Sequence, residues 1–451
     1  MGTLTLKKQA VRGVFWTVMS YGTSQVLRFG SNLLLTRLLY PEFFGLMALV
    51  NIFILGLKLF SDVGIGLSVV QNKRGEDPAF INTAWTIQVV RGFGLWLICL
   101  LIAYPVSAIY HEPQLMWMLP VVGLSTIVDG FTSTAPFTLE RHLELRKLTI
   151  LEISTQVVQV VVMLTWAYFS PTIWSLVAAG LVAGLVKMVW THRLIPRYTN
   201  RFQWEQRSAT EIFSFGRWIF VSTALTFLAE QADRLILGKL LSLELLGIYG
   251  IAIMLSDVPR QVALALSNRV VLPVASRLVD LPRWELRAKI LKHRWRLLLV
   301  LMGAIAILAG FGDMMVDFLY DKRYGAAAWM LPILALGIWP RLLCATIETS
   351  LYAINKMQYT TLANFCRLLS TVLGIWLGYV LLKVPGAVIA VALNDIFYYS
   401  VVSYGLHQEG LGCLGQDLKI TGLLVMLLFA IMMARGAWGL GLPIDGIWQF
   451  L

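Results

Sequence analysis

Thirteen apolar runs of spanning length, or twelve and a peripheral one, follow one another between residues 12 and 437, and no other feature constrains this chain as strongly. A helix needs roughly 20 apolar residues to cross the hydrocarbon layer. Unpaired backbone groups are costly there, so a chain of such runs folds as a bundle of spanning helices. The runs fall at about 12–36, 43–70, 79–108, 115–137, 148–169 and 171–191, then at about 212–238, 244–272, 296–320, 327–353, 359–381 and 385–406, with one more at 418–437. A polar stretch, 191–211, separates the first six from the second six and reads as a linker. With 58% hydrophobic and 14% charged residues, the 451-residue chain has too little charge to cover a soluble surface of its size.

The two sets of runs repeat each other. Shifted by 202 positions without a gap, the sequence lays Trp16 on Trp218, Ser20 on Ser222, Leu33 on Leu235, Leu35 on Leu237, Glu42 on Glu244 and Gly45 on Gly247. At an offset of 212, Met118, Leu119 and Pro120 fall on Met330, Leu331 and Pro332. Halves with an even number of spans are parallel repeats related by an axis along the membrane normal. The expected architecture is therefore an all-α polytopic membrane protein. A six-helix lobe with its linker occupies 1–210 and a second lobe 211–410, around a central cavity, and an extra C-terminal span and tail occupy 411–451.

The formal net charge of +12 does not imply a nucleic-acid partner, because a nucleic-acid binder gathers its bases on one solvated face. Here they gather in the even-numbered connections: Arg141, Arg146 and Lys147, then Arg193, Arg197, Arg201 and Arg207, then the run 277–296. The positive-inside rule then places the N-terminus in the cytoplasm. Lys7, Lys8 and Arg12 precede the first apolar run, which has no small-residue cleavage site and reads as the first span. The run 277–296 reads as a solvated loop, or alternatively as an amphipathic helix on the anionic inner leaflet with Leu278, Leu281, Trp284, Ile290 and Leu291 near its apolar stripe.

No enzyme signature is present. The five histidines are scattered over connections, and Cys99, Cys344, Cys366 and Cys413 lack metal-ligand spacing. There is no phosphate-cradling glycine loop and no nucleophile elbow, so neither a catalytic residue nor a metal or cofactor is expected. The chemistry lies instead in ionisable groups inside the apolar runs, which cost about 2.5–3.5 kcal/mol at a helix centre and normally face a bundle interior or a cavity. On the first run Tyr21, Ser24, Gln25, Arg28 and Asn32 recur at helical spacing as one polar face. At the 202 offset that face becomes Thr223, Thr226, Glu230 and Arg234, with Asp233 beside it.

Glu230 and Arg234, four residues apart, admit an intrahelical ion pair as well as a cavity role. Arg341 and Glu348 share a face, and Asn364 and Arg367 open the following run. Arg91 and Lys187 read as snorkelling residues, Asp62 and Asp129 as helix-end or packing residues, and Asp257, Arg260 and Asp395 as lying nearer the membrane surface. A cavity rich in arginine suits an anionic cargo, since guanidinium keeps its charge when desolvated.

Four segments carry a resemblance: KKQAVRGVFWTVMSYGTSQVLRFGSNLLLTRLLYPEFFGLMALV near the start, FSDVGIGLSVVQNK, LERHLELRKLTILEI, and the second-lobe FGRWIFVSTALTFLAEQADRLILGKLLSLELLGIYGIA. In their order and in the six-plus-six plan, the chain resembles the polysaccharide-transporter branch of the multidrug/oligosaccharidyl-lipid/polysaccharide exporters, of the colanic-acid-exporter type. That resemblance implies a multi-pass inner-membrane protein that flips an undecaprenyl-pyrophosphate-linked oligosaccharide by alternating access, in a pathway shared with glycosyltransferases and a polymerase. It implies that Arg28, Arg341 and Arg367 meet pyrophosphate or acidic sugars, that Gln25, Asn32 and Asn364 meet sugar hydroxyls, and that Glu230 or Asp233 holds a coupling proton or sodium ion. Glu348 is a further coupling candidate. The family also implies more helices after the second lobe, of which this chain carries about one. A cation antiporter of the same superfamily and a non-transporting scaffold for glycan assembly are the alternative readings.

Overall fold

The computed structural model describes residues 19, 22–196, 198–267 and 282–449. Lys7, Lys8, Arg12, Tyr21, Arg197 and the stretch 268–281 lie outside the described residues, as do the side chains of Trp218 and Ser222. Regular structure among the described residues is helical throughout, as the apolar runs require. Among the described residues seven helices are long and apolar enough to cross a membrane, or up to nine if each of two bent pairs is one span. The chain divides into two compact units, Met1–Ala224 and Leu225–Leu451.

In the first unit, helix α1 covers residues 22–38 and is followed by α2 (Pro41–Phe60), α3 (Ile65–Gln71), α4 (Pro78–Tyr110), α5 (Leu115–Gly130), α6 (Ala135–Arg141), α7 (Leu145–Phe169) and α8 (Trp174–Thr191). Local chemistry sets the starts of these helices. Pro41 and Pro78 sit in the first turns of α2 and α4, where the missing N–H costs nothing, and the Asp77 carboxylate caps α4 by accepting from the Ala79 N–H. A core of Ile65, Val69, Phe80, Ala84 and Ile87 takes in Ala209 and Ile212 from the start of α9 (Gln206–Leu240).

The second unit takes the rest of α9, then α10 (Leu243–Ser256), α11 (Val258–Leu266), α12 (Arg283–Leu319), α13 (Ala326–Gly337), α14 (Trp339–Ala345), α15 (Thr349–Ala353), α16 (Gln358–Gln408) and α17 (Leu414–Ala437). Leu298, Leu301 and Ile305 of α12 pack with Leu342 and Leu343 of α14 and with Ile420 and Leu424 of α17. Helix α16 is folded back on itself at Leu382 and Lys383, whose backbone leaves helical geometry, with Lys383 at φ 54°. The two limbs meet backbone to backbone: a Cβ on Gly378 would lie 2.3 Å from the Gly386 carbonyl oxygen. Only glycine at both places lets the limbs come this close.

Four apolar runs read as continuous are broken. The run 43–70 is interrupted after Ser61, where Gly64 adopts φ 64° and donates its N–H to Asp62 Oδ1 at 2.9 Å. The run 115–137 bends by 57° between α5 and α6, and the run 327–353 bends by 44° between α13 and α14. The run 244–272 divides into α10 and α11 at Asp257, just before Pro259. The second and fourth segments of each set are thus the broken ones. A break frees carbonyls within an apolar surrounding, and such backbone is tolerated only where protein groups re-pair it.

Two connections also depart from their reading. The linker 191–211 is not a free tether: residues 201–205 lie along α4, where Arg201 N donates to Asn82 Oδ1 (3.0 Å), Gln203 N to Thr86 Oγ1 (3.1 Å) and Glu205 N to Thr83 Oγ1 (3.0 Å). Helix α9 accordingly starts at Gln206 rather than after the linker. From Arg283 the basic run 277–296 is not a loop but the first turns of α12, with Leu286, Ile290 and Arg294 buried and Trp284 exposed.

Candidate functional site

Polar side chains of neighbouring helices re-pair the broken ones. In the first unit Gln88 and Arg91 lie one turn apart on α4. The Gln88 amide donates to the carbonyls of Asp129, Gly130 and Thr132 at 3.0–3.2 Å, closing the end of α5. Arg91 donates to the Lys58 carbonyl at 2.5 Å and to Ser61 Oγ at 2.8 Å, closing the end of α2. Arg91 is therefore held inward instead of snorkelling, because freed carbonyls offer it acceptors that lipid does not. Lys58 Nζ meets Asp129 Oδ2 at 2.6 Å, and these groups, with Asp62 and the exposed Lys187, line a cavity of about 480 Å³.

In the second unit Arg294 serves a further turn, that between α14 and α15. It donates to the Leu343 carbonyl (3.0 Å) and Thr346 Oγ1 (2.7 Å) at the break after α14, and its Nη1 meets Asp417 Oδ1 of α17 at 2.6 Å. Above this core lies a second cavity, of about 200 Å³, with walls from α9, α10, α11, α13, α14 and α16. Its wall carries four arginines and four carboxylates. Arg367 and Asp395 face each other across the α16 fold at 2.7 Å, next to an Asn394–Thr371 hydrogen bond of 2.8 Å. Arg260 is paired with Asp257 at 2.5 Å. Asp233 accepts a hydrogen bond from Tyr249 at 2.6 Å.

Arg341 is held differently. It is 8% exposed, its guanidinium carbon lies 3.7 Å from the centre of the Tyr398 ring, and its nearest carboxylate, Glu230, is 3.7 Å away. Its Nη1 is buried with no hydrogen-bond acceptor among the described residues. Tyr398 in turn donates to Glu348 at 2.9 Å, which sets Glu348 behind the wall rather than in it. Glu230 faces Arg341 instead of forming the intrahelical pair with Arg234, whose Nη1 reaches only Gln231 at 3.4 Å.

Of the residues singled out from the sequence, Arg341, Arg367, Glu230 and Asp233 come together in this one cavity. Asn364 lies on the same limb as Arg367, but outside the wall. Gln25, Arg28 and Asn32 belong to α1 in the first unit, where Arg28 is exposed and Gln25 and Asn32 are half-buried, and none of the three lines either cavity. The sequence reading set Asp257, Arg260 and Asp395 apart, whereas the structure puts all three in the wall with Arg341. For Asp257 and Arg260 the sequence signal is Pro259, which sits in the first turn of α11 where the run divides.

Among the described residues no group of three or more His, Cys, Asp or Glu side chains is placed to hold a metal ion. What the second cavity offers is a set of arginines and carboxylates in a confined, low-dielectric volume, with Arg341 Nη1 and Arg367 Nε both lacking a hydrogen-bond acceptor among the described residues.

The fold is shared with solved membrane transporters. It is similar to a lipid II flippase MurJ in an inward closed conformation, at a TM-score of 0.72 and 13% identity, covering 93% of each chain. It is also similar to an inward-facing multidrug resistance MATE family transporter of the MOP superfamily, at a TM-score of 0.65 and 11% identity over 89% of this chain and 95% of that one. In sequence, the chain is 23% identical over 275 residues to the succinoglycan biosynthesis transport protein ExoT of Rhizobium meliloti (strain 1021), 60% of this chain and 55% of that protein. It is 26% identical over 261 residues to the amylovoran biosynthesis protein AmsL of Erwinia amylovora, covering 56% and 66%. To the lipopolysaccharide biosynthesis protein WzxC of Escherichia coli (strain K12) it is 21% identical over 338 residues, covering 74% and 67%. The matched stretches span 55–67% of the length of these relatives. A family model described as "Polysaccharide biosynthesis protein" matches residues 34–329, and the chain belongs to that family.

Proposed function

We propose that this multi-pass membrane protein carries an undecaprenyl-pyrophosphate-linked oligosaccharide, an exopolysaccharide, capsule or O-antigen repeat unit, across the bacterial inner membrane by alternating access. Family membership and the flippase-like fold support this reading, as do relatives named for succinoglycan transport and lipopolysaccharide biosynthesis. The observation that carries it is the state of the second cavity. Each of its four carboxylates already faces a cation or a tyrosine hydroxyl within 4 Å, whereas Arg341 Nη1 and Arg367 Nε each keep a buried donor without a hydrogen-bond acceptor among the described residues. Such a wall accepts an anion more readily than the organic cation of a drug antiporter.

The N-terminus is cytoplasmic in this reading. The connections expected on that side do gather at one end of the first unit. Arg141 Nη1 donates to the Val69 and Asn72 carbonyls at 3.1 and 2.5 Å, and Asn200 bonds Ser133 and Thr134 at 2.7 Å. Arg28, Gln25 and Asn32 of α1 and Asn364 of α16 belong to the cargo path as further contacts. Glu230, the most exposed acid of the Arg341 pair, or Asp233 takes the coupling proton or sodium ion, with Glu348 held in reserve behind Tyr398. Membrane lipids surround the chain, and glycosyltransferases and a polymerase stand before and after it in the pathway.

Reconstitution tests this. Purified protein in proteoliposomes is expected to move a fluorescent lipid-linked oligosaccharide to the opposite leaflet. Exchange of an organic cation without lipid movement would make it an antiporter instead.

A further inference from the structure

We infer that Lys292 and Arg296 of α12, with Lys419 of α17, form a headgroup site for an anionic phospholipid on the outer surface of the second unit. None of the three lines either cavity, so the site is separate from the cargo path and does not rest on the flippase reading.

One face of α12 is apolar along the membrane and basic beyond it. His293, Val300, Ile307 and Met314 recur every seven residues, with Phe318 one turn further on, and share a stripe of the helix. Val300, Ile307 and Phe318 are 71%, 60% and 84% exposed, and on a helix of spanning length lipid covers such side chains. From Val300 to Phe318 the helix rises about 27 Å, close to the thickness of the hydrocarbon layer. Arg296 stands one turn, about 6 Å, beyond Val300, and Lys292 one turn beyond that; both are exposed. The headgroup layer begins at that level.

Helix α17 brings a third base to the same depth. Arg294 meets Asp417 near the start of the two helices, and Asp313 meets Arg435 near their ends, each pair at 2.6 Å. The helices therefore run parallel and in register. Lys419, two residues past Asp417, stands level with Arg296, two residues past Arg294, and it too is exposed. Further along α17, Met426, Phe429 and Met433 are exposed to lipid as the stripe on α12 is.

These three bases are also the uncommitted ones. Arg287 donates to the Gly412 carbonyl at 2.6 Å, Lys289 pairs with Glu285 at 2.8 Å, and Arg294 is buried against Asp417. The side chains of Lys292, Arg296 and Lys419 enter no ion pair or hydrogen bond among the described residues. A lipid phosphate is the anion that this depth supplies. Guanidinium offers it two parallel donors and each ammonium adds a point charge.

Native mass spectrometry of the full chain, titrated in detergent with phosphatidylglycerol or phosphatidylcholine, tests this. The first phosphatidylglycerol is expected to bind more tightly than the first phosphatidylcholine. Arg296→Gln and Lys419→Gln are each expected to weaken phosphatidylglycerol binding about fivefold, the factor for one base near a lipid surface. Phosphatidylcholine binding is expected to stay unchanged in both, which controls for folding, and Arg296→Lys to retain most of the affinity. Lys73→Gln removes an exposed base of the first unit and controls for net charge. Equal binding of the two lipids by the wild type overturns the proposal. So does a loss in Arg296→Gln and Lys419→Gln no greater than in Lys73→Gln, which would make the preference a diffuse effect of surface charge.

Discussion

Arg294 of α12 and Asp417 of α17 meet at 2.6 Å with each side chain 1% exposed. The pair joins the last helix of the second unit to the break after α14, because the same guanidinium also donates to the Leu343 carbonyl. Removing one partner strands a buried charge, at a cost of about 3–5 kcal/mol. Asp417→Asn is therefore expected to lower the melting temperature of the purified protein sharply. The double replacement Arg294→Met with Asp417→Leu is expected to recover part of the loss. Equal melting temperatures for Asp417→Asn and wild type would show that the pair is not holding α17.

The contact between Gly378 and Gly386 makes a second, local test. A methyl at Gly378 would lie 2.3 Å from a backbone oxygen, which cannot step aside as a flexible side chain does. Overpacking of this kind costs about 1–3 kcal/mol. One turn earlier, a Cβ on Gly374 would meet Ala390 at an ordinary 3.6 Å. Thermal denaturation should separate Gly378→Ala, destabilised, from Gly374→Ala, near neutral.

Gln88 is expected to matter more than an uncharged side chain on a spanning helix ordinarily would. Replacing it with leucine leaves the Asp129, Gly130 and Thr132 carbonyls without its amide. An unsatisfied buried acceptor costs about 1–3 kcal/mol. Hydrogen exchange in the segment after α5 should rise in Gln88→Leu, and exchange unchanged there would reassign the amide to a passive packing role.

Acid should loosen the end of the first unit where the linker meets the α3–α4 connection. Arg74 Nη2 bonds Asp77 Oδ2 and Glu205 Oε2, each at 2.7 Å. The Arg74 hydrogen bond holds the Asp77 carboxyl below its usual range, and the Ser208 hydroxyl followed by Arg74 does the same for Glu205. A carboxylate depressed in the folded state adds stability above its ordinary pKa and loses it as pH falls through the folded value. Proteolysis of the 191–211 segment should therefore accelerate on acidification below the ordinary carboxylate range. Arg74→Gln should flatten that dependence, and an identical pH profile in the variant would count against the network.

The membrane class was legible because it depends on a local quantity, hydropathy over about twenty residues. Helical spacing also brought Glu230 and Asp233 to one face of α9, and both do line the cavity. What each charge pairs with was not legible. Glu230 has Arg234 one turn away, yet faces Arg341, more than a hundred residues on. Arg294 read as one base among many in a cytoplasmic run, yet it is buried against the break after α14. Arg91 read as snorkelling, yet it closes the end of α2.

The physical reason is common to these cases. Sequence by itself determined which segments enter the membrane, since burial in lipid is set by the composition of a segment. The tertiary structure alone decided where those segments break and which carbonyls the breaks expose. Once carbonyls are freed inside an apolar bundle, nearby polar side chains such as Gln88, Arg91 and Arg294 are drawn to them, whereas Arg341 keeps a buried donor for which neither a freed carbonyl nor a close carboxylate supplies an acceptor among the described residues.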